Sequence, residues 1–339
     1  MLIERNQMTK LSNEVEHEAL RLSQAGLTQR EVGRLIGISK SPVGNVIVRD
    51  AARRFAPKPW NPSPTRLSMT DREEIRVSLD RNGALWNEAR TVLEQELREP
   101  KVYFTLLTQL ASGDKELGEI TSRARLSPSQ ASKYLSVLEN MRIVRRRLPV
   151  LATKETRGGQ WHLDDSFFRF WFRFVFPYQD DLENGLRAAD LFSGEVKPAL
   201  ADHVAPMFED WARDWVRGRF GSRASSVGAW WGPSLHNLRR TGERSTEEID
   251  VVGVGRGKVT VVGEAKWQER MLGASILADL RDHKLPALAQ AGFKFANDVD
   301  VVLLAKSGYT EDLKEVESAD PHLHLVDVAA DLVGGPTEE

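Results

Sequence analysis

Apolar positions change their period several times along the chain, and each change marks an element. Between residues 12 and 50 they recur at helical spacing, with Leu27, Val32, Leu35, Ile36, Ile38 and Val43 on one seam. Gly26 and Gly37 interrupt the seam, which predicts three short helices: Glu14 to Gln24, Thr28 to Ile36, and Ser39 to about Val48. Thr28-Gln29-Arg30-Glu31 has the form of a capping box, and Pro42 falls within a first helical turn, where its missing N–H is tolerated. Such a helix-turn-helix, assigned to residues 1–55, would turn Lys40, Ser41, Asn45 and Arg49 toward DNA. Pro57, Pro59, Pro62 and Pro64 then describe an extended linker within residues 56–97.

The helical period returns over Lys101 to Ser112, Leu117 to Arg125, and Gln130 to Asn140, the last opened by Ser127-Pro128. Strand-like segments follow at Val144 to Leu151 and Gln160 to Leu163. Three helices and a two-stranded flap predict a winged helix-turn-helix over residues 98–165. Its candidate nucleic-acid contacts are Ser129, Gln130, Ser132 and Lys133 on the last helix, with Arg145, Arg146 and Arg147 at the wing. Those arginines read equally as a solvated charge run. Phe167 to Phe176 holds seven aromatic residues, is interrupted by Arg169 and Arg173, and is too short to span a membrane. It reads as a docking helix, within a connector over residues 166–194.

Beyond residue 195 the periods alternate between helix and strand. Val196 to Arg219 is helical, with Phe208, Trp211 and Trp215 on one face and Glu209 beside them. Strand signals occupy Ser226 to Trp231, a hairpin from Glu247 to Trp267, Asp300 to Ala305 and His322 to Val328, with a helix over Ile276 to Ala291. That order predicts an α/β sandwich around a mixed sheet over residues 195–335, and an α/β multidomain chain as a whole.

The hairpin carries the candidate chemistry. With a three-residue loop, Arg256 to Lys258, residue i faces residue 514 − i, so Asp250 lies opposite Glu264 and Lys266 projects from the same face. Opposed Cβ atoms are about 5 Å apart, close enough for two carboxylates to grip one divalent cation. Ile249, Val251, Val259, Val261, Ala265 and Trp267 then form the other, apolar face. A two-residue loop would put the acids on opposite faces. The glycines of Gly253-Val254-Gly255-Arg256-Gly257-Lys258 fit a hairpin turn and not a phosphate loop, because the Gly-x-x-x-x-Gly-Lys-Ser/Thr spacing fails.

Composition narrows the chemistry further. The 339 residues include no cysteine, so thiolate metal sites and disulfides are excluded, and His322 and His324 are two candidate metal ligands that lack a third in sequence. Lys and Arg number 47 against 49 Asp and Glu, a balance that confines any nucleic-acid footprint to a local patch. No apolar run reaches membrane-spanning length and the N-terminus has no signal-peptide core, so a cytoplasmic location without a membrane partner is expected.

Asp followed by Glu-x-Lys across a hairpin resembles the core of the PD-(D/E)XK nuclease superfamily. Phe208-Glu209-Asp210, Val227-Gly228-Ala229-Trp230-Trp231, Gly263-Glu264-Ala265-Lys266-Trp267 and Lys306-Ser307-Gly308-Tyr309-Thr310, in that order, resemble a C-terminal domain of unknown function on archaeal and bacterial AAA+-type ATPases. The resemblance spans roughly residues 88–333 and lacks the ATPase domain. Residues 1–86, including Arg66-Leu67-Ser68-Met69-Thr70-Asp71, resemble the DNA-binding region of bacterial transposases, with the second helix-turn-helix cut short. These resemblances imply metal-dependent phosphodiester hydrolysis. Asp250 and Glu264 would hold Mg²⁺ or Mn²⁺, Lys266 would orient the attacking water, Glu209 would complete the shell, and the partner would be nucleic acid, DNA first, acted on by a monomer or a homo-oligomer. The competing expectation is a non-catalytic DNA-binding or regulatory protein with an inactive nuclease fold.

Overall fold

The computed structural model describes residues 86–152, 159–235 and 246–328, with two isolated residues, Leu35 and Leu79. The expected helix-turn-helix with Lys40, Ser41, Asn45 and Arg49, and the proline linker, lie outside the described residues. The chain divides into two compact units. Among described residues the first holds 86–145 and 161–177, and the second holds 146–152, 159–160 and 178–328.

In the first unit, α1 (Glu88–Glu96) and α2 (Pro100–Ala111) are followed by β1 (Lys115–Glu116), α3 (Leu117–Ala124) and α4 (Pro128–Asn140). Strands β2 (Val144–Arg147) and β3 (Gln160–Leu163), which run into the second unit, complete a three-stranded sheet of order β1-β3-β2. The flap is thus one short strand wider than the two-stranded expectation. Arg125 ends α3 in the left-handed conformation, and α4 starts on a full capping box. Ser127 Oγ accepts from the Gln130 N–H, and Gln130 Oε1 accepts from the Ser127 N–H at 3.1 Å, satisfying two otherwise orphaned donors. Ile120, Ala131, Leu135 and Leu138 are buried along the inward faces of α3 and α4.

The aromatic run belongs to the core of this same unit. Asp165 caps α5 (Ser166–Phe170), accepting from the Phe168 N–H at 2.9 Å, and the helix continues as a π turn over Trp171–Val175. Trp171 and Phe172 are fully buried. Phe104 of α2 packs 5.6 Å from the Phe172 ring and 5.4 Å from Phe176, and the Trp171 indole N–H donates to the Trp86 carbonyl at 2.9 Å. Packing of the rings on one another, with their area removed from water, explains the density of aromatics that sequence alone reads as a docking surface.

The second unit is a five-stranded mixed sheet with helices on both faces. After α6 (Gln179–Glu183) and α7 (Ala188–Leu191), the long helix α8 (Lys197–Phe220) leads into β4 (Ser226–Pro233), β5 (Thr246–Gly255) and β6 (Lys258–Lys266). Then come α9 (Ser275–Asp279), a π turn over Leu280–Lys284, α10 (Leu285–Gln290), β7 (Phe295–Ala305), α11 (Glu311–Ala319) and β8 (Leu323–Asp327). Sheet order is β4-β5-β6-β7-β8, antiparallel from β4 to β6 and parallel from β6 to β8. Phe208, Ala212, Val216 and Phe220 of α8 repeat every four residues, and this stripe packs with Val251, Val261, Ala265, Val302 and Leu304 on one face of the sheet. Leu277, Leu280, Leu288 and Leu313 cover the other face, against Ile249, Val252, Val259, Val262 and Leu303.

Two register shifts, one in each strand of the hairpin, correct one expectation. Ile249 and Val259, assigned by sequence to the face of Val251 and Val261, join the opposite core instead. Both faces of the hairpin are buried, so its near-continuous apolar runs replace a simple alternation.

Candidate active site

The register of the hairpin decides whether its acids can meet. The expected three-residue loop is in fact a two-residue turn, Arg256-Gly257, with both residues at positive φ, 51° and 75°. This is the primed turn that suits the twist of an antiparallel pair. Next to it, Gly255 pairs with Lys258 and Val254 with Val259, a register that alone would separate Asp250 from Glu264. A bulge at Thr260 then inserts one residue into β6, and from there Gly253 pairs with Val261, Val252 with Val262 and Val251 with Gly263. The Thr260 hydroxyl donates to the Arg223 carbonyl at 3.1 Å. The expected pairing of Val252 with Val262 is therefore right and the expected turn is wrong.

Where the backbone ladder stops, side chains take over. The Asp250 carboxylate accepts from the Ala265 N–H at 2.9 Å and from Lys266 Nζ at 2.8 Å through the same oxygen. Lys266 Nζ also lies 2.6 Å from Glu264 Oε2, so one ammonium bridges both acids. Glu264 has no solvent exposure. Its Oε1 accepts from Lys284 Nζ at 2.8 Å, whereas buried Oε2 has no partner in hydrogen-bonding geometry. Lys284 closes the π turn between α9 and α10 and is 14% exposed, an unusually deep position for a lysine.

From the other face, α8 adds three charged groups. Arg213 is buried and donates to the Asp250 carbonyl at 2.7 Å and to Asp210 at 2.8 Å, with Glu209 Oε2 4.0 Å away. Asp210 in turn pairs with Arg147, so a line of charges runs from Arg147 through Asp210 and Arg213 to the backbone of Asp250.

The protonation of the cluster follows from burial. Loss of hydration, reinforced by the neighbouring Asp250, pushes the Glu209 carboxyl up to about 8. The same two causes raise Glu264 to about 7, with Lys266 and Lys284 opposing them. Burial would lower the Lys266 ammonium, but Asp250 and then Glu264 outweigh it and hold it above the usual lysine range. Of the four residues named from sequence, Asp250, Glu264 and Lys266 are in direct contact and Glu209 is coupled to them through Arg213 and Asp250.

Arg213 and Lys284 are the members that sequence reading missed. Arg213 sits four residues after Glu209 on the same helix, a spacing that signals adjacency. Nothing local marks Lys284, which lies twenty residues beyond Glu264.

The remaining sequence candidates lie elsewhere. In the first unit, Ser129 and Lys133 are exposed on α4, Ser132 is half-buried, and the carboxamide of Gln130 is engaged in the helix cap. Arg145 pairs with Asp164 at 3.0 Å, Arg146 is half-buried, and Arg147 is tied to Asp210. His322 and His324 acquire a shared partner, buried Asp300, at 3.3 and 3.0 Å, but Arg223 also pairs with that carboxylate.

Among the described residues no group of three or more His, Asp or Glu side chains is arranged to hold a metal ion. Asp250 and Glu264 are a pair of hard oxygen donors, the class that Mg²⁺ and Mn²⁺ prefer, and Glu264 Oε2 is ion-paired to Lys266 but holds no hydrogen bond. Their chemistry fits a divalent cation completed by water. Among the described residues no helix is long and apolar enough to cross a membrane.

The family described as archaea bacterial proteins of unknown function (DUF234) matches residues 171–277, a stretch containing Glu209, Arg213, Asp250, Glu264 and Lys266. The chain is also 23% identical over 188 residues to an uncharacterized protein of Methanocaldococcus jannaschii, covering 54% of this chain and 39% of that protein. It thus spans about two fifths of the relative's length. No solved structure matches the chain.

Proposed function

We propose that the second unit is a metal-dependent nuclease and that the first unit, with the N-terminal segment, brings it to DNA. The observation that supports this reading is the pairing of Asp250 and Glu264 around a single ammonium in a buried site. Buried acids gathered around one ammonium are costly, and apolar residues of similar volume would stabilise the sheet better. Strongly perturbed carboxyls gathered at one point are a signature of chemistry.

Asp250 and Glu264 hold the Mg²⁺ or Mn²⁺ ion in this reading. When bound, such an ion neutralises charge on a phosphodiester and acidifies coordinated water. Lys266 donates a hydrogen bond to the attacking water or to a phosphate oxygen as charge develops. Glu209 borders the site as a further acid, and Arg213 fixes the backbone from which Asp250 projects. On the first unit, exposed Ser129 and Lys133 of α4 are groove contacts, and Arg145, paired with Asp164, is the exposed arginine of the wing.

The test is incubation of the full chain with single- and double-stranded DNA and RNA in Mg²⁺ or Mn²⁺. Cleavage by the wild type, lost in Asp250→Asn and in Lys266→Ala, is the expected result. Absence of cleavage from every substrate would sink the enzyme reading.

One observation favours a second reading, a binding module with a retired site: Lys266 and Lys284 already neutralise Glu264. On that reading DNA is bound without cleavage, and neither Mg²⁺ nor Mn²⁺ raises the thermal midpoint.

A further inference from the structure

Lys266 does more in this geometry than await a substrate. Its Nζ is 2.8 Å from an Asp250 oxygen and 2.6 Å from Glu264 Oε2, so it occupies the point where a cation shared by the two acids would sit. Lys284 stands differently. It reaches only Glu264 Oε1, on the far side of that carboxylate, and has Asp279 as its other acidic neighbour at 3.8 Å. One lysine lies between the acids and the other behind one of them.

We infer that the Lys266 ammonium is an internal stand-in for the divalent cation, so that metal binding expels it from between Asp250 and Glu264. This rests on the nuclease reading of the site and adds a means of regulation to it. The resting site keeps itself neutral, which stabilises two buried carboxylates when metal is scarce. Entry of the ion frees the ammonium at the moment when a phosphate needs a donor. Lys284 keeps its bond to Oε1 throughout and leaves Oε2, the oxygen without a hydrogen-bond partner, as the donor that changes hands.

The two lysines supply a charge-matched control. Removing either deletes one positive charge next to Glu264, and through-space attraction for a divalent ion rises in both cases. Only Lys266 competes for the position itself. The experiment is calorimetric titration of Mg²⁺ and Mn²⁺ into the metal-free full chain, its Lys266→Met and Lys284→Met variants, and Lys266→Gln, which keeps a neutral polar donor if the methionine variant fails to fold.

Close buried charge pairs couple strongly enough that Lys266→Met should tighten Mg²⁺ by about tenfold or more over the wild type. Lys284→Met should tighten it clearly less. Equal gains in the two variants, or no gain in Lys266→Met and Lys266→Gln, overturn the inference while leaving the nuclease reading in place. Absence of divalent binding in the wild type and in every variant overturns both.

Discussion

The two ends of β6 and β7 each bury carboxylate, and they treat it in opposite ways. At one end Asp300 is a single acid surrounded by donors: Arg223, His322 and His324 all reach it, and Arg223 also holds Asp298. At the other, roughly 10 Å along the strands, Asp250 and Glu264 share one bridging ammonium, and Glu264 keeps an oxygen without a hydrogen bond. The first arrangement is a saturated structural tie between strands and the α8–β4 corner. Crowding of acids at the second end is what a fold tolerates when something other than stability retains them.

Mutation should separate the ends most sharply in stability. Arg223→Ala strips a buried acid of its main cation and should cost about 3 kcal/mol, whereas Glu264→Gln removes a charge that the fold holds at a loss and should be near neutral at pH 8. Chemical denaturation of both variants measures this. A large loss from Glu264→Gln together with none from Arg223→Ala would reverse the assignment of roles.

The next effect is in pH. Glu209 and Glu264 ionise at about 8 and about 7 in the folded protein but near 4.5 when unfolded, so through that window the folded state binds more protons than the unfolded chain. Stability contributed by these groups therefore falls as pH rises from about 4.5 to 8, by roughly 3 kcal/mol for Glu264 and roughly 5 kcal/mol for Glu209 at most. Glu264→Gln should flatten the slope, and saturating Mg²⁺ should do the same in the wild type. A slope that persisted in the double replacement Glu209→Gln, Glu264→Gln would place its origin outside the cluster.

Smallest is the effect of a cation outside the buried cluster. Lys306 lies 5.1 Å over the Trp267 ring and pairs with exposed Glu269, so Lys306→Ala should cost under about 1 kcal/mol by thermal melting. A larger loss would extend the acid site outward to this lysine.

Much of this was legible from residue pattern. The β-branched runs around Arg256-Gly257, the every-fourth-residue stripe of α8 and the Ser127 cap are local signals, and the corresponding elements form where those signals fall. The acids, the lysine and their mutual approach were readable from hairpin logic. What escaped depends on distance along the chain or on irregular backbone. A bulge has no sequence mark at Thr260, a π turn re-aims Lys284 from outside any motif, and the partner of His322 and His324 lies on the neighbouring strand more than twenty residues earlier. Burial on both sheet faces likewise follows from helices packed on each side, which no hairpin can announce.

The bulge at Thr260 makes the site dependent on phase. Counting outward from the turn, every side chain of β6 beyond residue 260 is one step out of frame with the turn and in frame with the acids. Were Thr260 drawn into the ladder opposite Gly253, every later residue of β6 would shift by one and Glu264 would pass to the opposite side of the sheet. Deleting it would instead leave Val254 with Val259 and Gly253 with Val261 on a plain ladder, with Val251 still opposite Gly263 and the acids still in phase. The bulge is therefore an insertion absorbed in backbone, and descendants of this hairpin could shed that residue without moving the acids apart.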